Sequence, residues 1–355
     1  MAKQVVDEDR GALLAEALGV LERGGLVCVP TETVYGIGCR SDRPEAVERL
    51  RAFKGARGDK PFTLHIGEAA EAFARGRSTP AAHRLADAFW PGPLTLVLDR
   101  KDGRGSLAFR VVDEDFTREL CLQSPAPLCL SSVNRSGGEP ALDAATAEAV
   151  AGDAVALVVD GGPCRLGAPS TVVAAPADGS IEVLRAGALP ENQVLARAAT
   201  LVLFLCSGNT CRSPMAELLA RRLYAERLGC APEELLDRGV LVTSAGCATM
   251  PGQPASANAV AAMAELGLDL SEHRTRALEP ALLARASRVW CMSHHHVDIA
   301  RELRERVPLP GQIDGLPPAL LGGDEEIPDP FGGPLEVYRE CRDRIAALLP
   351  ATFPL

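Results

Sequence analysis

The chain has 355 residues, 47% of them hydrophobic and only 4% aromatic, and it carries a formal net charge of −10. That length exceeds one ordinary hydrophobic core and predicts two domains, while the scarcity of rings argues against a stacking surface for single-stranded nucleic acid. The acidic balance is shared by both halves, which excludes a basic platform for nucleic acid. No apolar signal core opens the chain and no stretch reaches the ~18 apolar residues of a membrane span, so a cytoplasmic protein without membrane contact is expected.

From the N-terminus, residues 9–23 read as an amphipathic helix with Leu13, Leu14, Ala17, Leu18 and Leu21 on one face, stopped by Gly24-Gly25. Residues 26–30 follow as a short strand and 43–53 as a helix. Further strands are expected at 62–66, 94–98, 128–131, 157–159, 171–173 and 181–184, with helices at 81–89 and 144–151. This mixture implies an α/β domain on one twisted sheet over residues 10–190. Residues 191–199 read as a linker. The pattern restarts with a buried strand at 200–205. Strands at 240–243 and 288–292 then alternate with helices at 214–228, 256–265, 297–304 and 335–349, which predicts a doubly wound parallel sheet over 200–355.

The strand at 200–205 runs directly into Cys206-Ser207-Gly208-Asn209-Thr210-Cys211-Arg212-Ser213-Pro214, and a helix follows. A loop between a strand and a helix N-terminus presents converging backbone N–H groups, and the helix dipole adds positive potential. Such a loop holds a phosphate dianion and stabilises a cysteine thiolate, the attacking species in covalent catalysis. Cys206 is the candidate nucleophile. Arg212 offers a planar fork to two phosphate oxygens. Gly208 is read as the positive-φ residue, Asn209 as a brace and Ser213 as a donor to the thiolate, while Ser207, Thr210 and Cys211 complete the loop. Cys211 reads equally as a disulfide partner for Cys206 and as a small loop residue.

Eleven cysteines, an odd number without a CxxC pair, speak against a disulfide framework and against a zinc ribbon. Those in apolar runs, such as Cys28, Cys129 and Cys291, read as core hydrophobes. His294-His295-His296 cannot all face one ion from a turn, so they read as solvated and no metal site is expected.

Residues 206–214 resemble the signature of the low-molecular-weight protein phosphatases. Thr243-Ser244-Ala245-Gly246, Ser271-Glu272-His273-Arg274, Met292-Ser293 and Ile327-Pro328-Asp329-Pro330-Phe331-Gly332-Gly333 are similar to later landmarks of that family. The resemblance implies that Asp329 protonates the leaving group and then activates water against a cysteinyl-phosphate. It also implies phosphoprotein substrates and no cofactor. Thr210 together with Phe331-Gly332-Gly333 is similar to the protein-arginine phosphatases. Tyrosine-specific members usually carry a bulky aliphatic residue at the Thr210 position. An arsenate reductase on this fold would need two further cysteines where only Cys291 stands.

In the first half, Pro30-Thr31-Glu32-Thr33-Val34-Tyr35-Gly36-Ile37-Gly38 follows a strand, and its hydroxyls and glycines suit the wall of a nucleotide or amino-acid pocket. Polar loops at 54–65, 90–94, 131–137 and 169–173 share this character. Taken in order, they resemble the YrdC family, the L-threonylcarbamoyladenylate synthases, over residues 10–190. The resemblance implies a twisted mixed sheet that makes threonylcarbamoyl-AMP and pyrophosphate from L-threonine, bicarbonate and ATP. Mg²⁺ would accompany ATP, and tRNA would be reached indirectly through a downstream transferase. Thr33, Lys54, Lys60, His65, Ser132, Asn134, Ser170 and Arg185 match pocket-lining positions, and Arg110 is a further carboxylate or phosphate partner. Arg57 stands one place later than the family's Lys-x-Arg. Val133 replaces an alanine, and Asp113-Glu114-Asp115 stand near an expected Pro and His. The competing reading is a tyrosine phosphatase carrying an inactive nucleotide- or RNA-binding module.

Overall fold

The computed structural model describes residues 3–4, 9–55, 61–135, 138–306 and 316–353. It divides into two compact units, Met1–Arg197 and Ala198–Leu355.

The first unit holds strands β1 (Lys3–Gln4), β2 (Val27–Val29), β3 (Gly36–Arg40), β4 (Thr63–His65), β5 (Leu94–Asp99), β6 (Ser106–Arg110), β7 (Leu128–Ser132), β8 (Leu157–Asp160), β9 (Thr171–Ala174) and β10 (Glu182–Arg185). They form one mixed sheet in the order β1-β8-β2-β3-β7-β4-β6-β5-β9-β10. β2, the Leu128-Cys129-Leu130 run of β7 and the Leu157-Val158-Val159 run of β8 are apolar at every position because both faces are covered. Val27, Val29, Leu128, Leu130, Leu157 and Val159 pack with the helices Arg10–Glu22 and Asp115–Gln123. The residues between them, Cys28, Cys129 and Val158, pack on the other face with the helices Pro44–Lys54 and Ala144–Ala151. Alternation along an extended chain produces this division.

β1, β6 and the helix Ala69–Arg75 were not expected from the sequence, and three further elements of this unit depart from the expectation. Gly36–Arg40 is a strand rather than a loop. A Cβ on Gly38 would stand 2.0 Å from the Cys129 carbonyl oxygen, so the glycine serves a close approach of β3 to β7. The acidic run opens a helix, with the Glu114 carboxylate accepting the N–H groups of Phe116 and Thr117. Glu191–Ala198 is a helix where a linker was expected.

The second unit holds β11 (Thr200–Cys206), β12 (Val240–Gly246), β13 (Arg288–Cys291) and β14 (Ala319–Leu320), all parallel, in the order β12-β11-β13-β14. Leu201, Leu203 and Leu205 face one core with the helix His294–Arg306. Val202, Phe204 and Cys206 face the other with the helices Arg212–Leu228, Ala257–Ala264 and Leu335–Leu348. β11 has successors on both sides, so the crevice beyond its carboxyl end lies where the strand order reverses. No described helix is long and apolar enough to cross a membrane.

Candidate active sites

Cys206 is the last residue of β11, and Arg212 is the first of the helix that follows. The Cys206 Sγ lies 2.9 Å from the Ser213 hydroxyl and accepts the Asn209 backbone N–H at 3.2 Å. The buried Arg212 guanidinium donates to the Ile327 carbonyl at 3.2 Å and pairs with Asp329, whose side chain stays 47% exposed. The Asp329 Oδ1 accepts the Phe331 N–H at 3.2 Å, and Asn258 donates to the Gly333 carbonyl at 3.0 Å, which ties this loop to a neighbouring helix. Cys206, Gly208, Thr210, Arg212, Asp329 and Phe331 surround a cavity of about 220 Å³, with Ser207, Cys211 and Ala248 on its wall. A sulfur, a guanidinium and a half-exposed carboxylate thus converge on one space.

The loop is held by its fourth residue. Asn209 has φ 54, the one positive φ of a non-glycine among the described residues, and its short polar side chain tolerates that conformation. Its amide nitrogen donates to Ser213 at 2.9 Å and Ser244 at 2.8 Å, and its side-chain oxygen accepts the Arg276 N–H at 2.8 Å. The His273 Nε2 lies 2.8 Å from its carbonyl. Gly208, the residue expected to carry positive φ, does not; the left-handed turn falls one place later. Ser244 passes the brace on to Glu217 at 2.7 Å, whose carboxyl is raised by burial.

The Cys211 Sγ meets the hydroxyls of Thr210, Ser256 and Tyr338 at 3.5, 3.3 and 3.6 Å. All eleven cysteines are free thiols. Burial pushes Cys28, Cys39 and Cys341 up to about 12 and Cys129 to about 11, which leaves them unreactive. The histidine run departs from its expectation. His294 and His295 are exposed, but His296 is buried, with its ring 2.9 Å from Ser207 and 2.9 Å from Ser293. Among the described residues no cluster could hold a metal ion.

In the first unit a cavity of about 300 Å³ opens where several strands end. The helix Pro44–Lys54 stops at Gly55, φ 68, and leaves Lys54 at the cavity wall. There its ammonium donates to the Ser132 carbonyl at 2.9 Å and to the Asn134 carbonyl and side-chain oxygen at 2.8 and 2.7 Å. The Ser132 hydroxyl donates to the same Asn134 oxygen at 2.6 Å. Arg185 donates to the Ser170 carbonyl at 2.6 Å, and the Ser170 and Thr95 hydroxyls lie 2.9 Å apart. His65 and Arg110 are register partners at the ends of β4 and β6. Burial, reinforced by the Arg110 charge, pushes His65 down to about 3, so its imidazole is neutral at working pH. Arg110 donates to Glu32 at 2.7 Å and to Thr33 at 2.8 Å, and both side chains of the ion pair are buried.

Residues 19–187 match the Sua5/YciO/YrdC family model, described as telomere recombination, and residues 201–353 match the model described as low molecular weight phosphotyrosine protein phosphatase. A threonylcarbamoyl-AMP synthase of Chromohalobacter salexigens is 39% identical over 169 residues, which are 45% of this chain and 90% of that protein. YwlE arginine phosphatase from Geobacillus stearothermophilus is 34% identical over 43% of this chain and 90% of its own, with a TM-score of 0.34. The chain belongs to both families, one in each half. Sua5 of P. abyssi, solved with L-threonine, adds a likeness of fold alone, at 21% identity and a TM-score of 0.51 over 98% of this chain and 97% of that one.

Within the synthase-family unit, Lys54, His65, Arg110, Ser132, Asn134, Ser170 and Arg185 come together on one cavity. Thr33 does not line it. It is fully buried and touches Arg110 from behind. Arg57 and Lys60 lie outside the described residues. The acidic run borders a separate hollow, where Asp113 pairs with Arg165 at 2.7 Å. Thr31, one of the hydroxyls expected to wall a pocket, lines the cavity, whereas sequence reading missed Glu32 and Thr95. The one signal for Glu32 is that a carboxylate beside a strand end requires a cation, and its partner lies 78 residues away. In the phosphatase-family unit it missed Glu217, Arg276 and His296.

Proposed function

We propose that residues 200–355 hydrolyse phosphoarginine in proteins through a cysteinyl-phosphate, and that residues 10–190 make threonylcarbamoyl-AMP. The convergence of Cys206, Arg212 and Asp329 on one cavity carries the first half of this reading. The Cys206 thiolate attacks phosphorus while the Arg212 fork and the loop N–H groups hold the equatorial oxygens. Asp329 gives its proton to the leaving nitrogen as the P–N bond breaks. The same carboxylate then takes a proton from water, which attacks phosphorus and breaks the P–S bond. Incoming phosphate competes with Asp329 for Arg212, so binding frees the carboxyl for proton transfer.

The arginine preference rests on Thr210 at the cavity wall beside Asp329 and on relatives such as the Geobacillus enzyme. Thr210→Ile exchanges a hydroxyl for an apolar wall. The expected result is a roughly 5- to 150-fold fall in kcat/KM on phosphoarginine, with phosphotyrosine unchanged or improved. The two values measured side by side decide; a wild type faster on phosphotyrosine removes the arginine assignment. That second reading is favoured by the exposed Phe331 ring at the mouth, which suits a phenol.

In the first unit, three cationic side chains and a ring of hydroxyls suit a triphosphate and an amino acid. No carboxylate lines the cavity among the described residues, so Mg²⁺ fits there only on phosphate oxygens and water. Pyrophosphate should be released from ATP only when threonine and bicarbonate are both present. A flat pyrophosphate assay with ATP still bound would replace this reading with the inactive nucleotide-binding module.

A further inference from the structure

We propose that His296 is a positioning residue of the phosphatase-family site, one that turns the Ser207 hydroxyl proton toward the bound phosphate. The inference rests on the phosphatase reading and deepens it. His296 is the third residue of its helix and is 1% exposed, whereas the two histidines before it face solvent. Its Nε2 lies 2.9 Å from the Ser207 Oγ and its Nδ1 2.9 Å from the Ser293 Oγ. Both ring nitrogens are therefore occupied by hydroxyls, one on the loop that presents Cys206 and one just beyond the end of β13.

A neutral imidazole donates from one nitrogen and accepts at the other. Burial, with the Arg212 and His295 charges, outweighs the attraction of Asp329 and Glu326 and pushes His296 down to about 4, so the ring stays neutral at working pH. Two proton arrangements satisfy both contacts. In one, Ser207 donates to Nε2 and shows only lone pairs to the cavity, which a phosphate dianion repels. In the other, Ser293 donates to Nδ1, Nε2–H donates to the Ser207 oxygen, and the Ser207 proton is left for a phosphate oxygen. A bound dianion selects the second. Ser207 lines the cavity with Cys206 and Arg212 while His296 stands behind it, so the ring acts through Ser207.

The test uses the full chain and two readouts, inorganic phosphate binding by calorimetry and kcat/KM on p-nitrophenyl phosphate. His296→Phe should weaken both roughly 3- to 30-fold. His296→Gln keeps one donor and one acceptor and should recover most of the loss. In a Ser207→Ala background, His296→Phe should add nothing further. Additive losses in that double variant, or a glutamine variant as impaired as the phenylalanine one, overturn the proposal. Should His296→Phe unfold, Ser293→Ala carries the same test: it removes the donor that fixes the ring, and its effect must vanish in the Ser207→Ala background. A wild type that binds phosphate without turning over the ester overturns the phosphatase reading alone, and the binding measurements still decide for His296. A wild type that binds no phosphate overturns both.

Discussion

Cys206→Ser is expected to lower phosphoester turnover on the order of 10⁴-fold or more, while ATP-dependent pyrophosphate release stays within about twofold. The serine hydroxyl fits the same space, and the Asn209 N–H and Ser213 hydroxyl that reach Sγ at 3.2 and 2.9 Å can still bond it. What is lost is the thiolate. A serine alkoxide is far less accessible at neutral pH, and among the described residues the groups bonded to the Cys206 Sγ are a hydroxyl and a backbone N–H, neither of which serves as a base. Phosphate binding should survive, because Arg212 and the loop amides are untouched. The independence of the other activity follows from the two compact units, each with its own buried clusters. Parallel assays of one preparation provide the check. Loss of both activities with the fold intact would show that the units are coupled and would end the two-site reading.

The second large effect is expected in the first unit. Glu32→Ala should cost about 3–5 kcal/mol of that unit's stability, since it strands the Arg110 guanidinium in a buried site without its carboxylate. The hydrogen bond from the Asp113 N–H to Glu32 is lost as well. Charge repair should recover the fold without recovering function: Glu32→Leu combined with Arg110→Met removes both charges and leaves an apolar pair of similar bulk. Denaturant unfolding followed by fluorescence tests this, because Trp90 and Trp290 lie one in each unit and a Trp290→Phe background isolates the first. A single variant that unfolds at the wild-type midpoint would mean that water or a rearranged side chain already satisfies Arg110. The buried-pair account would then fail.

These two sites were unequally legible, for a physical reason. The phosphate loop is contiguous, so strand, nucleophile, brace and helix cap are spelled out in one run of nine residues, and Asp329 is marked by its own turn. The cavity of the other unit gathers side chains from positions 31 to 185, and no local pattern reports that Lys54 meets Asn134 or that Arg110 meets Glu32. There the resemblance supplied what periodicity could not. Within the legible loop the errors were conformational. Glycine was given the left-handed turn because it is the residue that adopts it most cheaply, but Asn209 does so while also supplying three side-chain hydrogen bonds that glycine lacks. His296 was hidden because its two neighbours are identical in type, and only the pitch of the helix separates one buried ring from two exposed ones. β3 was hidden because glycine ordinarily weakens a strand, whereas here the facing carbonyl leaves room for nothing larger.

The strand that presents the nucleophile is bonded along both of its edges, to β12 over its whole length and to β13 over Val202–Leu205. Detaching it would break two ladders and open both cores at once, so no partial opening can loosen Cys206 cheaply. The placement of the sulfur is thereby tied to the cooperative stability of the whole unit. A mutation far from the cavity that costs this unit a few kcal/mol should reduce the fraction of working molecules and leave the turnover of each survivor unchanged. For the nucleophile, wear on the fold is all-or-none.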